Sequence, residues 1–185
     1  MAPHPLDPVK ELRLLLAFFG DGAAPHSQGV AAADLPEPAR TLLVHHGHMT
    51  ETLEHRHGGP VRVVPYATRR EGDIYGRRLD LLRGDGMVVM TGVMLVNLAM
   101  CDAAVRAEIL SEAAPLGRIL IDRNVMRRVH TQSFLRVDAD DPLVLRFGSS
   151  GTWAPRPAFG RFATIFCDDR PAIDVLEIVR PEAAA

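Results

Sequence analysis

Two arginines stand side by side in the stretch Ile74-Tyr75-Gly76-Arg77-Arg78-Leu79-Asp80-Leu81-Leu82. The stretch reads as a strand, rich in β-friendly and aliphatic residues and bounded downstream by the turn Gly84-Asp85-Gly86. Adjacent side chains on a strand point to opposite faces, so one of Arg77 and Arg78 faces the side that the sheet buries. A guanidinium forced inward is costly unless an anion or a carboxylate pairs with it. The chemistry implied is the binding of an anion or a carboxylate. Periodicity alone does not say which of the two turns inward.

Other chemically capable residues form weaker patterns. Five of the eight histidines fall between His45 and His57. His45 and His48, three apart, can share a helix face, but no spacing matches a zinc pattern and no carboxylate or cysteine completes a ligand set. A solvated helical surface accounts for them. Cys101 and Cys167 lack metal-type spacing, and their small number suits a reducing cytoplasm. Gly84-Asp85-Gly86 joins two strands and opens no helix, so it is no phosphate loop; no Gly-x-Ser-x-Gly elbow occurs.

The elements that must position these residues follow from pattern. Asp7 as cap and Pro8 at the first position start a helix over 8–19, which Gly20 stops. Residues 20–36 are rich in Gly, Ala and Pro without periodicity and read as a mobile loop. Helices are expected over 38–46, from Thr50 to Gly58-Gly59, and after Asp102; Ala114-Pro115-Leu116-Gly117 ends the last of these, and a helical turn follows at 119–121. Strands are expected over 61–70, 74–83, 87–98, 124–137, 143–147, 159–167 and 172–179. Gly92 inside an apolar strand marks a bulge, a close approach by another group, or a simple bend. Short turns between consecutive strands imply an α+β domain: a single antiparallel sheet of about six strands, with helices on one side.

Length and composition set the outer bounds. The 185 residues suit one domain over 1–185, with residues 1–36 as a terminal helix and loop, and 47% hydrophobic residues suffice for a core. A net charge of −2 gives no strong field toward nucleic acid or an anionic membrane. No run approaches the ~18 apolar residues of a membrane span. The expectation is a cytoplasmic protein.

Four patches, in order, resemble the chorismate pyruvate-lyase family. They are His48-Met49-Thr50 with Leu53-Glu54; Tyr75-x-x-Arg78 before Leu81-Leu82, with Gly92 in the next strand; Pro115-Leu116-Gly117; and Phe159-Gly160-Arg161, Arg170-Pro171, Leu176-Glu177-Ile178 and Pro181. The resemblance covers about residues 40 to 181. It implies an antiparallel sheet with helices closing over an internal pocket, and elimination of pyruvate from chorismate to give 4-hydroxybenzoate, with no metal or organic cofactor. The positions matching the family's ligand contacts are Met49, Arg78, Leu116 and Glu177. On this reading Arg78 takes the ring carboxylate and turns Arg77 to the opposite face. Arg128 or Arg161, on charge alone, takes the enolpyruvyl carboxylate. Glu177, between Leu176 and Ile178, serves as the acid/base group, because an apolar setting raises a carboxyl toward neutrality. Met49 and Leu116 contact the ring.

Read without the resemblance, Arg78 is a surface strand arginine paired with Glu71 or Asp80, Glu177 faces solvent, and Arg127-Arg128 is a solvated face. A second reading is a non-catalytic domain that binds an aromatic carboxylate, since a similar fold serves as the small-molecule sensor of some transcription regulators. The absence of a preceding helix-turn-helix counts against a regulator. A third is a metal-dependent enzyme built on the histidines.

Overall fold

The computed structural model describes residues 8–20, 26–149 and 153–182. Its frame is one seven-stranded antiparallel sheet. The strands are β1 (Ser27–Val30), β2 (Arg62–Glu71), β3 (Ile74–Leu82), β4 (Val88–Asn97), β5 (Arg127–Val137), β6 (Ala158–Cys167) and β7 (Arg170–Val179), in the spatial order β1-β5-β6-β7-β4-β3-β2. Local chemistry sets the hairpins. Asp168 and Asp169 both take positive φ, 49° and 59°, the twist a two-residue β6–β7 turn requires. At the β3–β4 turn Gly86 has φ 85°, and Asp85 Oδ1 accepts a hydrogen bond from the Met87 N–H at 3.1 Å.

Among the described residues six α-helices flank the sheet: α1 (Pro8–Ala17), α2 (Ala39–Leu43), α3 (Met49–His57), α4 (Ala103–Ser111), α5 (Leu116–Asp122) and α6 (Pro142–Leu145). Asp102 caps α4 through the Val105 N–H at 2.8 Å, and Gly58, at φ 70°, ends α3. Helices α2 to α5 bury Leu43, Leu53, Ile109 and Leu120 against one face of the sheet, with Met94, Ile165 and Val175. On the other face, Leu15 and Leu16 of α1 and Leu143 and Val144 of α6 meet Val93, Phe162 and Leu176. Both faces of the central strands are therefore dry, which explains the near-continuous apolar run of β4.

Three local expectations change. Residues 143–147 are not a strand: Asp141 accepts from the Leu143 N–H at 2.9 Å and Pro142 opens the helix α6. Within the expected loop over 20–36, residues 21–25 lie outside the described residues, while Ser27–Val30 pairs with Phe134–Val137 as an edge strand. Pro115-Leu116-Gly117 opens α5 rather than ending the preceding helix.

Candidate ligand-binding site

Register builds a hollow in the sheet. Leu79, Gly92, Glu177 and Arg161 stand in one cross-strand row over β3, β4, β7 and β6. Directly paired residues share a face, so the row places a carboxylate and a guanidinium beside a position with no side chain. The row above is Arg77, Met94, Val175 and Ala163; the row below is Leu81, Met90, Val179 and Phe159. Gly92 settles as a close approach: a Cβ there would stand 2.8 Å from the Leu176 carbonyl oxygen. The starts of α3 and α5 roof the hollow. His48, Met49 and Thr50 line it from one side and Pro115, Leu116 and Gly117 from the other. A Cβ on Gly117 would meet Thr50 Oγ1 at 2.7 Å, so the two helices touch through a missing side chain. Leu79, Met90, Met94, Val129 and Val175 complete an apolar wall.

The polar end is tightly organised. Arg161, 1% exposed, donates from Nε to Glu177 Oε2 at 2.6 Å and from Nη1 to the His45 carbonyl at 3.1 Å and the Leu43 carbonyl at 3.3 Å. His48 accepts a hydrogen bond at Nε2 from Arg127 Nε, which requires a neutral ring. Burial, with the Arg127 charge second, holds His48 below the usual histidine range. His45 is lowered in the same way, by burial and then by Arg161.

The adjacent arginines divide in the reverse of the expected sense. Arg77 takes the pocket face and is fully buried. Its Nη2 touches the Met94 sulfur at 3.8 Å, while Nε and Nη1 are buried without a hydrogen-bond partner among the described residues. The nearest carboxylate influence is Glu112, whose Oε1 accepts from the Tyr75 hydroxyl at 2.5 Å. Burial holds Arg77 below the usual arginine value, offset in part by Tyr75 and Glu112. Arg78 takes the opposite face, 4.6 Å over the Phe19 ring. The second pair behaves alike: Arg127 reaches His48, whereas Arg128 is exposed and lies 4.4 Å over Phe166.

Of the residues singled out from the sequence, Met49, Leu116, Arg161 and Glu177 therefore meet in one cavity, and Arg78 and Arg128 do not line it. Reading the sequence assigned no pocket role to His48, which lines the cavity, or to Arg77 and Arg127, which lie beside it behind Met94 and His48. For Arg77 the signal was present, since one of the two adjacent arginines had to turn inward. The histidines do not gather: among the described residues no group of three His, Cys, Asp or Glu side chains is placed to hold a metal ion. No helix among them is long and apolar enough to cross a membrane.

No family model and no curated protein matches this chain. Solved structures do. PhnF from Mycobacterium smegmatis aligns with a TM-score of 0.53 and 16% identity, over 74% of this chain and 65% of that one. The chain thus spans less than two thirds of PhnF, and the likeness establishes a shared α+β fold. A transcriptional regulator from Streptomyces coelicolor (TM-score 0.49, 13% identity, 68% of this chain and 89% of that one) is also similar. So is the ligand-binding domain of a GntR-family regulator from Bordetella bronchiseptica (0.48, 15%, 69% and 90%). The expectation of a cofactor-independent lyase is corrected: the chain shares its fold with PhnF, which is not described as a lyase. The geometry agrees. The arginine that anchored the lyase reading lies on the other face of the sheet, and Glu177 is engaged by Arg161 instead of standing alone for proton transfer.

Proposed function

We propose that this domain is a non-catalytic receptor for a small aromatic carboxylate, held between the sheet and the starts of α3 and α5. One observation carries the reading: Arg77, on the sheet face that bears the pocket and against its wall residue Met94, is fully buried with two guanidinium nitrogens that have no partner among the described residues. A cation in that position is costly until an anion joins it. A flat ring fits the slot over Gly92, between Leu79 and the Met49 and Leu116 side chains. Its carboxylate is directed past Met94 to Arg77, and a ring hydroxyl at the other end reaches the Glu177–Arg161 pair. Arg78 and Arg128 have no part in this site.

The test is thermal denaturation and calorimetry with benzoate, 4-hydroxybenzoate and benzamide. The acids are expected to stabilise the protein by about 2.7 kcal/mol at a hundredfold excess over Kd, and to be recovered unchanged. Benzamide, the same shape without the charge, is expected to bind at least tenfold more weakly. Equal binding of benzamide and benzoate removes the role of Arg77 and with it the proposal.

A further inference from the structure

A second concavity, of about 470 Å³, lies at the other end of α3. Four separate parts of the chain form it, and each supplies an arginine. These are Arg56 from the last turn of α3, Arg83 from the β3–β4 turn, Arg156 from the segment before β6, and Arg180 after β7. His57 and Trp153 also line it, and Glu182 is the one carboxylate among its described lining residues. Glu182 accepts from Arg56 Nη2 at 2.6 Å, and Arg83 binds Asp85 at 2.6 Å. Among the described residues two guanidiniums remain without a carboxylate. Arg180 is fixed by neutral groups: Nη1 donates to the Phe147 carbonyl at 2.6 Å and the Val88 carbonyl at 3.2 Å, and the group sits 5.5 Å from the Trp153 ring centre. Arg156 is exposed and makes no hydrogen bond or ion pair among the described residues. The Trp153 indole nitrogen is buried without an acceptor among the described residues. Burial and then the nearby Arg83 charge hold Arg180 below its usual value, offset in part by Asp85.

We propose that this cleft binds the phosphate group of a small flat molecule, of the nucleoside monophosphate class, with the ring against Trp153. A phosphate monoester carries close to two negative charges near neutral pH, which matches the two guanidiniums lacking carboxylates. Its oxygens suit forked donors approaching from several sides. A concave site on a chain of net charge −2 takes a small anion rather than a nucleic acid strand. The cleft shares no residue with the first pocket, so it stands or falls independently of that reading.

Trp153 is the only tryptophan, so its fluorescence reports on this cleft alone. The intact chain is titrated with inorganic phosphate and with adenosine monophosphate, chloride holding the ionic strength constant. Both are expected to give saturable changes, the nucleotide binding more tightly and quenching more deeply. The exposed-site variant Arg156→Ala is expected to weaken both by about tenfold or more, a loss of about 1.4 kcal/mol, and to bind benzoate as the parent does. Equal affinity for phosphate and nucleotide overturns the ring contact with Trp153. A linear, unsaturable response, or unchanged binding by Arg156→Ala, overturns the site.

Discussion

Arg77→Met separates two accounts of a buried arginine by the sign of its effect. Methionine has a similar reach and fills irregular space, so the change removes charge with little change of volume. The wild-type guanidinium is fully buried, touches the Met94 sulfur at 3.8 Å, and leaves Nε and Nη1 without a partner among the described residues. Its desolvation costs several kcal/mol, of which the Tyr75–Glu112 pair returns only a part. Exchanging such a charge for an apolar group is neutral or stabilising, by about 1–3 kcal/mol. For a domain of this size that is about 2–4 °C in melting temperature per kcal/mol. The same change removes a charge-assisted fork from the bound carboxylate, about 2–5 kcal/mol, or roughly 30-fold to several thousandfold in affinity. Ligand-free Arg77→Met is thus expected to melt at or above the parent temperature while losing benzoate binding, measured by calorimetry on both proteins. A ligand-free variant that melts several degrees lower, or that binds benzoate undiminished, makes Arg77 a structural prop and refutes the reasoning.

Three further expectations concern stability. Glu177→Gln leaves Arg161, 1% exposed, without its carboxylate and is expected to cost about 3–5 kcal/mol in urea unfolding; a loss below about 1 kcal/mol means that the two carbonyl acceptors suffice. His45, His48 and His57 all sit below their usual value, so below about pH 6.5 the unfolded chain takes up protons that the folded one excludes. Stability is expected to be full above pH 7 and to fall as the pH drops from about 6.5, with a shallower slope in His48→Gln; a flat profile between pH 5 and 7.5 contradicts this. Gly117→Ala sets a methyl against Thr50 and is expected to cost about 1–3 kcal/mol, and less when introduced into Thr50→Ala. A double-mutant cycle with no coupling would show that α3 and α5 do not bear on each other there.

Several elements are legible before any tertiary contact is considered. The Asp102 cap, the Gly58 stop and the Asp168-Asp169 hairpin depend on residues a few positions apart, and each forms where local chemistry places it. Helix α6 was equally local: Asp141 and Pro142 are a helix start, and the apolar run behind them resembled a strand. Strand β1 is different. Ser27-Gln28-Gly29-Val30 has little strand character, and it extends because β5 offers an unpaired edge.

The sequence by itself determined that adjacent arginines on β3 must part, one to each face. It also carried the residue types that meet in the pocket, namely Met49, Leu116, Arg161 and Glu177. Only the tertiary structure decided the phase. Strand alternation has a period but no origin. Its origin is ordinarily read from which side is apolar, and that cue vanishes when helices cover both faces. On β3, Tyr75, Leu79 and Leu81 are buried on one face while Asp80 is buried on the other through Arg146. Irregularities at Pro65/Ala67, opposite Leu79 and Arg78, and at Leu81/Leu82 shift the register just past the arginines. A one-residue slip exchanges the faces of every side chain, and such slips are set by partner strands distant in sequence. The choice between Arg77 and Arg78 therefore belonged to the sheet as a whole, and it fell on Arg77.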